Sequence, residues 1–461
     1  TMFMDVVTNF GSSKSPYIPV DADHLERGPV RLRSALQFSL NIPAVKALDD
    51  NGVTHVFEMA EKFGFRFQTS KPSAGLSLTL GTQEVHPVDE ATAYGTLANG
   101  GQYVGRTMIL AVKGSDGKDL ITPYKPPTPQ QVVSPQAAYI ITNILEGNTT
   151  PSVNPIWGKF EIESSGGKHR PATLKTGTND DARDLFAAGY IAPPTAAQRK
   201  AGQYALAVAA WNGNSDNSLV GSRSHPIFST DSVTYEWQGF LQEATSKWAI
   251  DDFAVPNGLV KAKVDAWSGM KPGPFTTKTV DEYFIDGTQP KQVDDTKVPI
   301  QVQSGTNLLW QDGCDGSPVT KGFADFNNVE SSKPPWQAAD RAWAARAARG
   351  IGVAGGPEHT RTMTFYDGGF HPFGNSWGAP FPPTKTCQIP VATPFPTPSC
   401  EAAASDCPSP SSSPSGSLSP PPTKPPKKTP KPTPPPSATT GTGGTGGVGD
   451  TGGGPVPSVG P

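Results

Sequence analysis

The sequence predicts an α+β fold, with an antiparallel sheet flanked by helices, a helical subdomain and a disordered C-terminal tail. Residues 175–211 contain three successive segments rich in β-branched, aromatic and alanine residues, separated by turn residues. In residues 1–150, several segments have apolar residues at the spacing that places them on one face of a helix. Residues 396–461 are mostly Pro, Ser, Thr and Gly, a composition that cannot bury enough apolar surface to fold.

Composition excludes several classes of protein. A chain of 461 residues predicts two or three domains. Its net charge of −3 gives no reason to expect a nucleic-acid partner. The four cysteines, Cys314, Cys387, Cys400 and Cys407, show no metal-binding spacing and have no matching histidine beside them. The sequence therefore predicts no metal and no cofactor.

The first 150 residues are predicted to be mainly helical. A helical run ends at a polar Ser-Leu-Asn turn and restarts after Pro43, a favoured early-helix residue. The segments Val53–Phe63 and Val88–Ala98 each place their apolar residues largely on one face, and two glycines end the second. Ser134 is a predicted helix cap, with Pro135 at the first position of a helix that runs to Leu145.

The strands and the later helices follow in order. Tyr103–Val112 and Leu120–Thr122 are predicted to form a hairpin around an Asp-Gly turn. The central antiparallel strands are predicted at Lys175–Thr178, Asp184–Ile191 and Tyr204–Trp211. Further helices are predicted at Tyr235–Trp248 and at Pro335–Ala348, the second ended by Gly350.

The strand Lys175-Thr176-Gly177-Thr178 carries a candidate binding site. Its ammonium group and two hydroxyls can donate hydrogen bonds to an anion, and Gly177 removes a side chain where a ligand backbone must approach closely. A lysine on a strand edge also has a purely structural use, since it discourages aggregation. The pattern favours a site that binds a carboxylate.

Several motifs together resemble the transpeptidase domain of penicillin-binding proteins, of the bifunctional class A type. These motifs are Ser39-Leu40-Asn41, Ser77–Gly81, Ala93–Gly101, Lys175–Thr178 and Ala210–Asn214. Leu40 stands where the superfamily motif has an acidic residue. The resemblance extends from Thr1 to about Gly287. It divides the chain into a transpeptidase domain (1–287), an extension without an assigned role (288–395) and the disordered tail (396–461).

The resemblance implies a D,D-transpeptidase that cross-links peptidoglycan stem peptides through a serine acyl-enzyme and binds β-lactams. Ser39 would relay a proton to the leaving amine, Lys175 would polarise that relay, and Asn41 would hold the substrate amide. The location implied is the bacterial cell envelope, at the outer face of the plasma membrane. The full-length protein would also be a peptidoglycan glycosyltransferase.

The strand residues receive their roles from the same resemblance. Thr176 and Thr178 would bind the terminal carboxylate of the substrate, and Gly177 would leave room for its backbone. The backbone N–H of Thr178 would supply half of the oxyanion hole.

A nucleophile is not identified in this sequence. The family's attacking serine precedes its lysine partner by three residues. Ser115, Ser165 and Ser268 match that spacing, but each match contains glycine and follows the Ser-Leu-Asn motif. We interpret all three as coincidences. The sequence is therefore expected to be an N-terminally truncated piece, with the nucleophile helix, the first strands and a membrane anchor upstream of Thr1.

Two other functions remain open at this stage. A β-lactamase-like hydrolase would share the strand, but the glutamate loop motif of class A β-lactamases is not found here. A non-catalytic cell-wall-binding module would need no nucleophile. Export would also permit disulfides, for which Cys400 with Cys407 and Cys314 with Cys387 are the predicted pairs.

Overall fold

The computed structural model describes residues 2–72, 74–179, 182–222, 224–348, 363–366, 369–372 and 380–390. Its α-helices are α1 Leu32–Gln37, α2 Asn41–Asn51, α3 Val53–Phe63, α4 Pro87–Ala98, α5 Pro135–Glu146, α6 Ala196–Lys200, α7 Val233–Thr245 and α8 Pro334–Ala347. The α+β fold class is confirmed. None of the described helices has the length and apolar character needed to cross a membrane.

The strands of the described residues form one three-stranded sheet and several two-stranded ones. They are β1 Met2–Asp5, β2 Gly28–Arg31, β3 Gln102–Tyr103, β4 Gln130–Gln131, β5 Ile162–Glu163, β6 His169–Arg170, β7 Lys175–Thr178, β8 Asp184–Tyr190, β9 Ala207–Gly213, β10 Gly221–Ser222, β11 His225–Pro226, β12 Leu259–Asp265, β13 Thr279–Ile285, β14 Lys297–Gln303, β15 Pro318–Ala324, β16 Met363–Tyr366 and β17 Gly369–Pro372. The three-stranded sheet has the antiparallel order β7-β8-β9.

Helices cover both faces of the central sheet. Leu185 of β8 belongs to the buried cluster that includes Trp237 and Leu241 of α7. On the opposite face, Tyr94 of α4 packs edge-on against Tyr190 of β8, with ring centroids 6.3 Å apart. This division follows from the alternation of side chains along a strand.

Gly189 permits the close packing of α7 on the sheet. A Cβ at this position would lie 1.8 Å from the carbonyl oxygen of Thr173 and 2.9 Å from the indole of Trp237. Since neither neighbour can move without breaking the sheet or its core, only glycine fits there.

Most predicted elements lie where the sequence indicates. Ser134 caps α5 by accepting a hydrogen bond of 3.1 Å from the N–H of Ala137. The third central strand is displaced from its predicted position and occupies Ala207–Gly213. Helix α2 begins at Asn41 rather than after Pro43, and α8 ends at Ala347. Gly350, the predicted end of α8, lies outside the described residues.

The predicted hairpin over residues 103–122 is wrong in extent. Tyr103 ends β3, which pairs with β4 instead. The predicted reversal is present, but it is limited to an isolated bridge between Lys113 and Asp119 and a few further backbone hydrogen bonds. Prolines at 123, 126 and 127 lack an N–H and prevent the second strand from continuing.

The residues beyond 255 pack against the first strands of the chain. One buried cluster joins Met4 and Val6 to Trp267, Phe326 and Trp343. The disulfide predicted between residues 314 and 387 is confirmed. The other predicted cysteine pair and the predicted disordered tail lie outside the described residues.

Gly28 of β2 is required by this packing. It has a φ of +72°, and a Cβ there would lie 2.2 Å from the indole of Trp343. A side chain at this position would therefore strain the backbone and push α8 away from β2.

Candidate active site

Ser39 and Lys175 are hydrogen-bonded although they are 136 residues apart in the chain. Ser39 lies in the turn between α1 and α2 with a φ of +55°, a conformation that costs energy for a residue other than glycine. The Lys175 Nζ donates to Ser39 Oγ at 2.6 Å and to the carbonyl oxygen of Thr176 at 2.7 Å. The structure thus brings together the two residues predicted to form the proton relay.

The Ser39 turn is held by packing on one side and by a buried carboxylate on the other. Leu40 is buried with Val30 and Phe38, so an acidic residue at this position would have to be buried in an apolar cluster. Asp21 Oδ1 accepts a hydrogen bond of 2.6 Å from the N–H of Asn41, the first residue of α2, and thereby caps this helix. Its capping role was missed, because no local spacing connects residue 21 to a helix that begins at residue 41.

Replacing Asp21 with alanine is expected to destabilise the domain by about 1–2 kcal/mol, the usual cost of a lost helix cap. The substitution also removes a carboxylate oxygen that lies 2.9 Å from Arg27 Nη1 in a buried ion pair. Urea denaturation would measure the loss. The control is Asp23→Ala, because Asp23 also pairs with Arg27 but is 43% exposed and caps no helix. Equal losses in the two variants would contradict the capping role of Asp21.

The pKa values of Lys175 and Glu90, two charged groups of the site, are shifted in opposite directions. Burial lowers the pKa of Lys175 to about 8, and the charge of Glu90 acts against that shift. Burial raises the pKa of Glu90 to about 7, and the charge of Lys175 acts against it. At neutral pH Lys175 is therefore mainly protonated and donates to Ser39, so the Ser39 hydroxyl hydrogen is free to be donated elsewhere. Glu90 was not among the predicted site residues.

Strand β7 presents an open edge among the described residues, because it pairs only with β8 in the central sheet. Two backbone hydrogen bonds show which residues are bonded to β8: the N–H of Thr173 donates to Tyr190 O, and the N–H of Asn179 donates to Asp184 O. With the observed register, the backbone groups of Lys175 and Gly177 therefore also point to β8. Antiparallel pairing alternates, so the backbone N–H and C=O groups of Thr176 and Thr178 point to the open edge. The Thr178 N–H therefore points away from β8, and its role in an oxyanion hole stays a prediction.

The side chains of β7 fit a site for an anion. Trp157 Nε1 donates to Thr176 Oγ1 at 3.1 Å, which leaves the Thr176 hydroxyl hydrogen for another acceptor. Thr178 Oγ1 accepts from the N–H of Ser229 at 3.2 Å and donates to Ser229 Oγ at 3.0 Å. Among the described residues, a Cβ at Gly177 would meet only Phe186, at an ordinary 3.7 Å, so no contact in that part of the chain requires glycine there. Glycine at this exposed position is consistent with a ligand that approaches the strand.

Residues 9–228 match the family model described as the penicillin-binding protein transpeptidase domain. This part of the chain belongs to the penicillin-binding protein transpeptidases. Residues 255–299 match the model of the penicillin-binding protein 1A C-terminal domain. That match crosses the predicted domain boundary at residue 287, and the domain limits stay a prediction.

The relatives of this transpeptidase domain are longer proteins. Penicillin-binding protein 1A of Clostridium botulinum is 30% identical over 313 residues, covering 65% of this chain and 34% of the relative. Penicillin-binding protein 2D of Bacillus subtilis is 28% identical over 266 residues, covering 58% and 35%. The chain thus spans about a third of the length of these curated relatives.

A solved structure supports the fold. Penicillin-binding protein 1A from Haemophilus influenzae is similar with a TM-score of 0.52 and 22% identity, covering 64% of this chain and 45% of that one.

Asn41 of the transpeptidase domain is directed differently from the other predicted site residues. Its Nδ2 donates to the carbonyl oxygen of Val20 at 2.8 Å, and among the described residues it has no hydrogen bond to Ser39 or Lys175. The role predicted for Asn41 in holding the substrate amide stays a prediction.

The three serines with a lysine three residues later lie in turns of the structure. Ser115 lies in the exposed turn between β3 and β4. Ser165 lies between β5 and β6, with its N–H bonded to Ser246 O, and Ser268 follows β12, with its N–H bonded to Asp265 Oδ1. Among the described residues, none of them is hydrogen-bonded to Ser39 or Lys175.

Proposed function

We propose that this chain is part of a D,D-transpeptidase that cross-links peptidoglycan stem peptides in bacterial cell wall synthesis and is acylated by β-lactams. The hydrogen bond from Lys175 to Ser39 carries the proposal. It joins a cation that titrates near neutral pH to a hydroxyl on a strained turn, and that hydroxyl keeps its hydrogen for a reacting group. The match of residues 9–228 to the transpeptidase family supports the same reaction.

In the proposed reaction, a serine hydroxyl attacks the carbonyl carbon between the two terminal D-alanines and forms an ester. Its proton passes to a neighbouring lysine. Ser39 gives its own hydroxyl proton to the departing D-alanine nitrogen and takes the proton held by that lysine in return. An amine of a neighbouring stem peptide then attacks the ester and restores the serine. The attacking serine and its lysine partner are proposed to be residues that this sequence does not contain.

The open edge of β7 is proposed to bind the substrate. Backbone groups of Thr176 and Thr178 would pair with the stem peptide as an added strand. The terminal carboxylate would accept hydrogen bonds from the hydroxyls of Thr176 and Thr178, the Thr178 hydroxyl turning from Ser229 Oγ to do so, and the Thr178 N–H would stabilise the oxyanion. A β-lactam that carries a carboxylate at the corresponding position would use the same donors.

The proposed setting is the outer face of the plasma membrane in the bacterial cell envelope. We also propose that the full-length protein is a peptidoglycan glycosyltransferase, anchored to the membrane by a segment that is not part of this sequence. The greater length of the penicillin-binding protein 1A relatives supports this part of the proposal.

Labelling of the full-length protein with a fluorescent penicillin tests the proposed reaction. We expect one stable covalent label, and we expect peptide mapping to place it at none of Ser115, Ser165 and Ser268. The triple alanine variant of these serines should label at the normal rate. A label on any of them would overturn our interpretation of the three turns.

The same experiment separates the two other functions. A label lost by hydrolysis within the assay would favour a β-lactamase-like hydrolase. An intact protein that takes up no label at all would favour a non-catalytic cell-wall-binding module. Either result would contradict the proposed transpeptidase.

A further inference from the structure

Glu90 lies on the face of α4 that packs against the central sheet. Tyr94, Leu97 and Ala98 of this helix pack against the buried cluster around Tyr190. Residue 90 precedes these three by 4, 7 and 8 positions, which places it on the same helical face. An apolar residue is expected at such a position, so a glutamate there calls for a partner.

Strand alternation places Lys175 on the sheet face that α4 covers. Tyr190 and Ala188 are two residues apart in β8 and point to the same face. Lys175 is paired directly across from Ala188, so its side chain leaves the sheet on that face too. Glu90, one helical turn before Tyr94, therefore belongs to the surface opposite Lys175.

The two charges act on each other without direct contact. Among the residues that the structure describes, none makes a hydrogen bond or a close ion pair with the Glu90 carboxylate. Yet the charge of Glu90 raises the pKa of Lys175, and the charge of Lys175 lowers that of Glu90.

The other polar groups around the pair carry no competing charge. Burial keeps the pKa of both Tyr94 and Tyr190 above the ordinary value, so both phenols stay neutral. Ser39 is uncharged, and Asp89 of α4 is paired instead with Arg66 and Arg106. Glu90 is the carboxylate of the described residues whose charge acts on Lys175.

We propose that Glu90 is a positioning residue of the transpeptidase site, whose carboxylate keeps Lys175 protonated. Lys175 Nζ then remains the donor, and Ser39 Oγ the acceptor, of the hydrogen bond between them. This inference rests on the proposed function of the same site. With Lys175 protonated, Ser39 Oγ accepts from Nζ and presents its own hydrogen to the leaving amine. With Lys175 neutral, the Ser39 hydrogen can be given to Nζ instead, and the relay runs in the wrong direction.

The pH profile of β-lactam acylation of the full-length protein tests the role of Glu90. The alkaline limb reports loss of the Lys175 proton. Since the negative charge of Glu90 favours the protonated lysine, Glu90→Gln should move this limb about one pH unit toward acid. The matched control is Glu58→Gln, which removes the same charge from the exposed face of α3 and should leave the limb in place.

A second measurement does not need the nucleophile. Reductive ¹³C-methylation of the full-length protein followed by NMR titration gives the Lys175 pKa directly, with the signal assigned by its loss in Lys175→Arg. We expect a wild-type value of about 8 and a lower value in Glu90→Gln. Glu90→Met, which restores an apolar residue to the packing face, should lower it equally and melt at the same or a higher temperature.

The outcomes distinguish this inference from the proposed function. A wild-type protein that is not acylated, but whose Lys175 signal moves in both Glu90 variants, contradicts only the proposed transpeptidase. An acylated wild type whose alkaline limb and Lys175 signal stay in place in both variants overturns the role of Glu90.

Discussion

Replacing Lys175 with methionine is expected to lower the rate of β-lactam acylation of the full-length protein by roughly 10²–10³-fold, the usual effect of losing one preorganised donor in such a site. The lysine has two duties in the structure. It donates to Ser39 Oγ at 2.6 Å and so would orient the proposed relay, and it would place positive charge beside the strand where a carboxylate is proposed to bind. Methionine keeps most of the side-chain volume but supplies neither donor nor charge.

Lys168→Met is the matched control for this experiment. Lys168 lies in the exposed turn between β5 and β6 and, among the described residues, has no hydrogen bond to Ser39 or Lys175, so its loss removes the same charge without breaking a contact of the pair. Stopped-flow or quenched labelling with a fluorescent penicillin would give both rates. A Lys175→Met protein that is acylated as fast as the Lys168→Met protein would refute the assigned role of Lys175.

The sequence was sufficient to select Ser39 and Lys175, because both residues belong to local patterns, and their role as a proton relay stays a proposal. Ser39 lies in a polar turn between two helical runs, and Lys175 opens a strand with an unusual Gly between two Thr. Their separation by 136 residues could be bridged only through resemblance to a family whose motifs occur in this order. The structure then adds the distance and the direction of the hydrogen bond.

Glu90 and Asp21 could not be predicted in the same way. Glu90 stands one position after Asp89, and on sequence alone either is an ordinary acidic residue in the first turn of a helix. What separates them is the face of α4 on which each lies, and that becomes meaningful only when the helix is packed on the sheet. Asp21 acts on α2 from a loop, through a contact with no sequence period.

The extension after residue 288 shows a further limit of sequence reasoning. What it packs against could not be predicted from its own residues, because Phe326 and Trp343 are buried with Met4 and Val6 at the other end of the described chain. The interactions that hold it include charged groups, which a hydrophobic pattern does not reveal. The clearest case is Lys46 of α2, which is fully buried.

Lys46 links α2 to the extension. Its Nζ donates to the carbonyl oxygen of Met4 at 2.8 Å and to Glu330 Oε2 at 2.5 Å, and it lies 3.7 Å from Asp340 Oδ1. Burial raises the pKa of Asp340 to about 8, with the charge of Lys46 acting against the rise and that of Glu330 adding to it. One cation therefore compensates two buried carboxyl groups.

Replacing Lys46 with methionine is expected to destabilise the protein by about 3–5 kcal/mol, the cost of leaving buried charge without its partner. The loss should be greater at pH 8 than at pH 5.5. Without the cation, the folded-state pKa of Asp340 rises further above its unfolded value, so the folded state keeps that proton to higher pH and its stability falls as pH rises through that window. Lys62→Met, on the exposed face of α3, is the control. If urea denaturation gave the two variants equal stability at both pH values, Lys46 would not be the link between α2 and the extension.

Since α2 begins two residues after Ser39, a large loss of stability in Lys46→Met that also slowed acylation would show that the extension helps to hold the Ser39 turn in place.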